Sequence, residues 1–158
     1  MKPVDEVVET DVPAGNSLIE LVEDEDAFLR DSWGSNEGVV SVQPGRVGLH
    51  SIDEFHHPMP HLRSFPAEPT DALPGQLGIW PVRFLTGRVE VWGGDADLGE
   101  VPLRLPQSRD RHYLMRVAVE RKRVDEQEVS DYTLAHCERY GEPAHDLERF
   151  TIEFWPTS

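Results

Sequence analysis

The chain has 158 residues, with 30 Asp and Glu against 15 Lys and Arg, for a formal net charge of -15. That length is enough for one domain with its own core, and the negative field makes nucleic acid and anionic membrane surfaces unexpected as direct partners. With 38% hydrophobic and 28% charged residues the chain is neither fibrous nor membrane-spanning, and its single cysteine, Cys137, excludes an internal disulfide.

Residues 1–15 are mostly polar and acidic, with Pro3 and Pro13, and are expected to form a flexible acidic arm. They lack the basic start and apolar run of a secretory signal, so the expected location is the cytoplasm. A single β-sandwich domain is expected over 16–158. Its first strand falls in the apolar run from Ser17 to Glu23, which is followed by the cluster Glu23, Asp24, Glu25 and Asp26 and by a short helical stretch over Ala27 to Arg30. Further short β-type runs, separated by Gly, Pro, Asn or Asp, are Val39 to Val42, Arg46 to His50, Gly78 to Leu85, Arg88 to Trp92, Val101 to Leu105, His112 to Glu120, Val129 to Cys137 and Arg149 to Trp155. Alternation is clearest in two of them. Tyr113, Met115, Val117 and Val119 share one face, as do Phe150, Ile152 and Phe154, with Thr151, Glu153 and Trp155 opposite.

Between Ser51 and Gly75 the prolines Pro58, Pro60, Pro66, Pro69 and Pro74 argue against a central strand, and the segment reads as a long Pro/His-rich loop or edge excursion. No run of ten or more residues carries a helical apolar stripe with start and stop signals, so the α/β alternation of parallel sheets is absent. The fold class expected is mainly β, an antiparallel β-sandwich with at most one short helix.

Four of the seven histidines, His50, His56, His57 and His61, lie within twelve positions, with Asp53 and Glu54 among them. Two imidazoles and a carboxylate are a suitable donor set for zinc, iron or manganese. The spacing is against it, because the adjacent His56 and His57 point to opposite sides of an extended backbone and His61 follows two prolines; they are weak metal candidates, and no cofactor is expected. Gly34-Ser35-Asn36-Glu37-Gly38 does not supply a nucleophile elbow, and Gly93-Gly94-Asp95 reads as a turn rather than a phosphate loop. A basic concentration, Arg104, Arg109, Arg111, Arg116, Arg121, Lys122 and Arg123, is interleaved with Asp110, Glu120, Asp125 and Glu126, as outward charges on a strand pair would be.

Leu103-Arg104-Leu105-Pro106, then His112 to Val117, then a polar connection and Glu148 to Pro156, resemble small bacterial β-sandwich proteins related to the competence protein J nuclease inhibitor. The resemblance implies a two-sheet sandwich with a closing strand, and an intracellular inhibitor or immunity-type protein that masks a basic effector such as a nuclease. It carries over no functional residue.

The function expected is therefore that of a non-enzymatic acidic binding protein whose partner is a basic toxin or nuclease. The partner-binding residues expected are Glu20, Glu23, Asp24, Glu25 and Asp26, with Trp33 as an aromatic anchor. Two other readings stay open: a metal- or ligand-binding β-sandwich enzyme that uses the histidines, and an accessory subunit of a larger assembly. The acidity itself is also open to a plainer reading, as a device for solubility.

Overall fold

In the computed structural model, the residues described are 1–8, 18–24, 38–51, 56–93, 96–97, 102–121, 126–141 and 144–157. Eleven strands and one helix follow in chain order among them. The strands are β1 (Asp5–Val8), β2 (Leu18–Val22), β3 (Val40–Gln43), β4 (Arg46–His50), β5 (His56–Ser64), β6 (Gln76–Arg83), β7 (Arg88–Gly93), β8 (Ala96–Asp97), β9 (Leu103–Arg104), β10 (His112–Arg121) and β11 (Ala144–Pro156). Helix α1 (Glu126–Tyr140) lies between β10 and β11. The strands form two sheets, β1-β5-β11-β10-β6 and β3-β4-β2-β7-β8, with β9 paired to β7. The mainly-β, two-sheet sandwich read from the sequence is the architecture found.

Period-two alternation builds the core. Tyr113, Met115 and Val117 of β10 and Phe150, Ile152 and Phe154 of β11 are completely buried and meet Ile19, Leu21, Val47, Leu49, Val89 and Val91 of the other sheet. Phe84 packs edge-on against Phe154, with ring centroids 5.8 Å apart, a geometry that aligns ring edge with ring face. The β10–β11 ladder runs unbroken from Tyr113↔Pro156 to Arg121↔Glu148, which places the last strand in the middle of its sheet.

Three elements differ from the sequence reading. Asp5–Val8, expected in a flexible acidic arm, is strand β1, which pairs antiparallel with His61–Ser64 and packs Val7 against the core. Residues 9–15 of that arm lie outside the described residues. Val129 to Cys137, expected as a strand, is helical: β-branched and aromatic residues there give a local β preference, but the run belongs to a fifteen-residue helix. Gly141, at φ +70°, closes the helix by donating its N–H to the Cys137 carbonyl at 2.8 Å.

The third difference is β5, a nine-residue strand inside the segment expected to be a loop. It lies between β1 and β11, and its pairing to β11 is parallel, the one parallel pair among the described strands. The prolines are accommodated by strand parity. Phe65 donates its N–H to the Phe154 carbonyl of β11, whereas the Ser64 carbonyl accepts from Val4 on the other side. Odd-numbered positions of β5 therefore face β11, and Pro58 and Pro60 turn their missing donors toward the β1 edge, where pairing among the described residues reaches only His61. Phe65 to Gly75 remains a connection, as expected, and leads into β6. The helical stretch expected over Ala27 to Arg30 lies outside the described residues. No helix among the described residues is long and apolar enough to cross a membrane.

Candidate functional site

Strand β2 presents the expected acidic residues, and its alternation decides what each can do. Ile19 and Leu21 point into the core, so Glu20 lies on the outer face of its sheet. There it is buried beside Arg46 of the neighbouring strand: Arg46 Nε and Nη2 both reach Glu20 Oε1 at 2.7 Å, and Arg46 Nη1 donates to Gln43 at 3.3 Å. A carboxylate that shares two guanidinium donors is held in a fixed orientation.

Glu23, at the end of β2, is also buried. Its Oε2 accepts the Leu85 backbone N–H at 2.6 Å, its carbonyl accepts the Thr86 hydroxyl at 3.1 Å, and its own N–H donates to the Gly45 carbonyl at 3.0 Å. Gly45 in turn donates to the Arg83 carbonyl at 2.8 Å. Glu23 thus ties the β3–β4 turn, β2 and the β6–β7 connection together at one end of the sandwich. Asp24, next in the chain, is only partly buried. Glu25, Asp26 and Trp33 lie outside the described residues, so of the expected partner-binding set the structure places two carboxylates inside the fold and one at its surface.

The histidines divide between the sheets. His50 is on β4 of one sheet, with Nε2 3.2 Å from the Ser41 hydroxyl, and burial pushes its imidazole pKa below the usual histidine value. His56, His57 and His61 are on β5 of the other sheet. Strand alternation sets the backbone positions of His56 and His57 on opposite faces, and the register pairs them with Ala144 and His145. His61 Nε2 lies 3.3 Å from Glu6 Oε2 but is not aligned with it as a hydrogen bond. Asp53 and Glu54 lie outside the described residues. Among the described residues no group of three or more His, Cys, Asp or Glu side chains is placed to hold a metal ion.

Two buried charge clusters have no counterpart in the sequence reading. On the outer face of the β1-β5-β11-β10-β6 sheet, the register aligns Glu6, Arg63, Glu153 and Arg116 in one row across four strands. Glu153, buried, accepts from Arg116 Nε on one oxygen and from Arg63 Nη2 at 2.9 Å on the other. At the opposite end of the sandwich from Glu23, Glu148 is completely buried between the Ser51 hydroxyl and Arg121 Nε, each at 2.7 Å. Arg116 and Arg121, read from the sequence as outward charges, are therefore partners of buried carboxylates. Nothing in the spacing of single acidic residues marks those two glutamates; the signal available was Glu153 alternating within a strand otherwise rich in large apolar residues.

No protein-family model matches the chain, and no curated protein matches it. Among solved structures, the crystal structure of ComJ from Bacillus subtilis, an inhibitor of the DNA-degrading activity of NucA, aligns over 99% of this chain and 100% of its own, with a TM-score of 0.59 and 7% sequence identity. The structure of the crocagin biosynthetic gene J product aligns over 98% of this chain and 97% of its own, with a TM-score of 0.52 and 14% identity. Almost the whole of both chains is matched at low sequence identity, so the likeness is one of fold. The chain is thus similar in fold to the ComJ nuclease inhibitor from end to end.

Proposed function

We propose that this protein is a non-enzymatic acidic binding protein of the inhibitor or immunity type, acting inside the cell by masking a basic partner such as a nuclease or toxin. The observation that carries the reading is the likeness over 99% of the chain to a protein that inhibits a DNA-degrading activity. The charge of -15 supports it independently. A nuclease needs a positive surface to hold phosphates, and an acidic protein competes for that surface through the same field that repels nucleic acid itself. Complementary charge mainly accelerates encounter and selects the partner, so binding of this kind weakens as salt rises.

The contact we propose is the acidic stretch that leaves β2, Asp24 with Glu25 and Asp26, and Trp33 as an aromatic anchor. Glu20 and Glu23 border it and hold their positions through Arg46 and the Leu85 amide, so their part is to fix the strand from which the acidic stretch emerges.

The test is a pull-down from the host's own lysate at low and moderate salt, followed by charge reversal. Recovery of one basic protein, released as salt rises and losing its DNA-degrading activity when this chain is added, is the expected result. The triple variant Asp24→Lys, Glu25→Lys, Asp26→Lys is expected to slow association by about tenfold or more, within the range that electrostatic steering covers. Association and salt dependence both unchanged in that variant would overturn the proposed contact.

A further inference from the structure

After β5 the chain turns back over the outer face of its own sheet. Phe65 is anchored to the Phe154 carbonyl, Asp71 offers its carbonyl to Arg116 Nη1 at 2.9 Å, and Gly75 offers its carbonyl to the Val119 N–H at 3.3 Å. Gly75 sits at φ +78°, and a Cβ there would lie 2.6 Å from the Val119 carbonyl oxygen, so the close return requires glycine. Beneath this strap is a cavity of about 270 Å³ whose walls include Arg63, Phe65, Pro69, Leu73, Arg116 and Glu153.

The polar floor of the cavity is unequally matched. Glu153 spends one oxygen on each arginine, and Arg116 spends a further donor on the Asp71 carbonyl. Arg63 Nε is buried and meets no acceptor among the described residues. Asp71 also lines the cavity, so its two guanidinium groups face two carboxylate-bearing residues and no charge is left over, but a desolvated guanidinium donor without an acceptor is unfavourable. Most of the remaining walls, Phe65, Pro69 and Leu73 among them, are apolar.

We infer that this cavity is a binding site for a small organic monoanion, a carboxylic acid with a compact apolar body. One carboxylate oxygen supplies the acceptor that Arg63 Nε lacks, and the apolar part lies against Phe65 and Leu73. A phosphate dianion is disfavoured by the Glu153 carboxylate in the floor and by the protein's overall charge. The volume sits just under the range of about 300–1,000 Å³ common for drug-sized ligands, which limits the occupant to the size of benzoate or a short branched acid. The site is on the sheet opposite β2 and is independent of the partner contact proposed above.

The experiment is a titration of the full chain with benzoate, followed by backbone amide shifts in NMR, with benzamide and inorganic phosphate as comparators. Saturable shifts confined to Arg63, Phe65 to Gly75 and Arg116 are expected with benzoate, with benzamide and phosphate about tenfold weaker or more, as expected for loss of one charge-assisted hydrogen bond. Arg63→Lys keeps a cation beside Glu153 but has no Nε donor, so it is expected to fold with a similar unfolding midpoint and to bind benzoate about tenfold more weakly. Leu73→Trp fills the cavity without altering its charges and is expected to abolish the shifts. Absence of saturable shifts with benzoate, equal binding by Arg63→Lys, or stronger binding of phosphate than of benzoate would each overturn the inference.

Discussion

The Ser51 hydroxyl donates to Glu148 across 97 positions of sequence, and this 2.7 Å bond joins the end of β4 in one sheet to β11 in the other. Glu148 has no exposed surface and takes its second bond from Arg121. A buried carboxylate is tolerated only when its lone pairs are met, so this contact is where the open end of the sandwich is closed. Ser51→Ala is expected to destabilise the protein by about 1.5–3 kcal/mol, the usual worth of a hydrogen bond to a charged group. A double-mutant cycle with Glu148→Gln in urea denaturation checks it; a coupling near zero would show that the two residues only happen to meet.

At the other end, Gly45 holds φ +73° and an added Cβ would run into the Glu23 side chain. Gly45→Ala therefore combines left-handed strain with displacement of a buried carboxylate, and a loss of about 1–3 kcal/mol is expected. The same substitution made in a Glu23→Ala background should cost less than in the parent, since the obstructing side chain is gone. Equal costs in the two backgrounds would assign the whole effect to backbone strain.

Parity along β5 separates neighbouring positions sharply. Pro60→Val restores a donor on the side away from β11 and is expected to change stability by less than about 1 kcal/mol, as volume-conserving changes in extended backbone do. Met59→Pro removes a donor that faces β11 and is expected to cost about 3 kcal/mol or more. Thermal unfolding of the two variants side by side checks the assignment, and reversal of their order would mean that β5 pairs in a different register.

His50 gives a pH dependence with a definite sign. Burial lowers its folded pKa below 6.5, so near and below that pH the unfolded chain binds the proton more readily than the folded one, and stability rises with pH. Its contribution is complete above about pH 6.5 and is lost as pH falls toward the folded pKa. His50→Gln, which keeps a polar contact for Ser41, is expected to flatten this part of the profile between pH 7.5 and about 5, measured by chemical denaturation. A profile unchanged by the substitution would place the titration on other groups.

The two long strands β10 and β11 were legible because each carries a complete period-two face, and a strand buried on one side can hold only one register. Helix α1 was not, because Val129, Tyr132 and Thr133 favour a strand locally. The better signal was at its ends: Glu126 and Glu128 in the first turn, Arg139 in the last and Gly141 just beyond, an order suited to the helix dipole. Pro58 and Pro60 argue against a central strand because they cannot donate, but that reading fails here: which edge they face depends on strand parity and on where β1 ends, neither of which is local. The acidic site was the least legible part. Glu20 and Glu23 look like any solvent-facing acids in the sequence, and only the approach of Arg46 and of the Leu85 amide from distant segments shows that they are held inside the fold.

The central place of β11 sets an order on folding. β5 and β10 are separated by nearly fifty residues and meet only through a strand that follows them both, so the halves β1-β5 and β10-β6 cannot be joined while the chain is still being extended. Its pairing with β5 also encloses one of the longest loops in the molecule, and closing such a loop costs chain entropy before any contact repays it. The protein should therefore acquire its native sheet late and all at once, and until then the apolar faces of β5 and β10 depend on something other than each other to stay out of water.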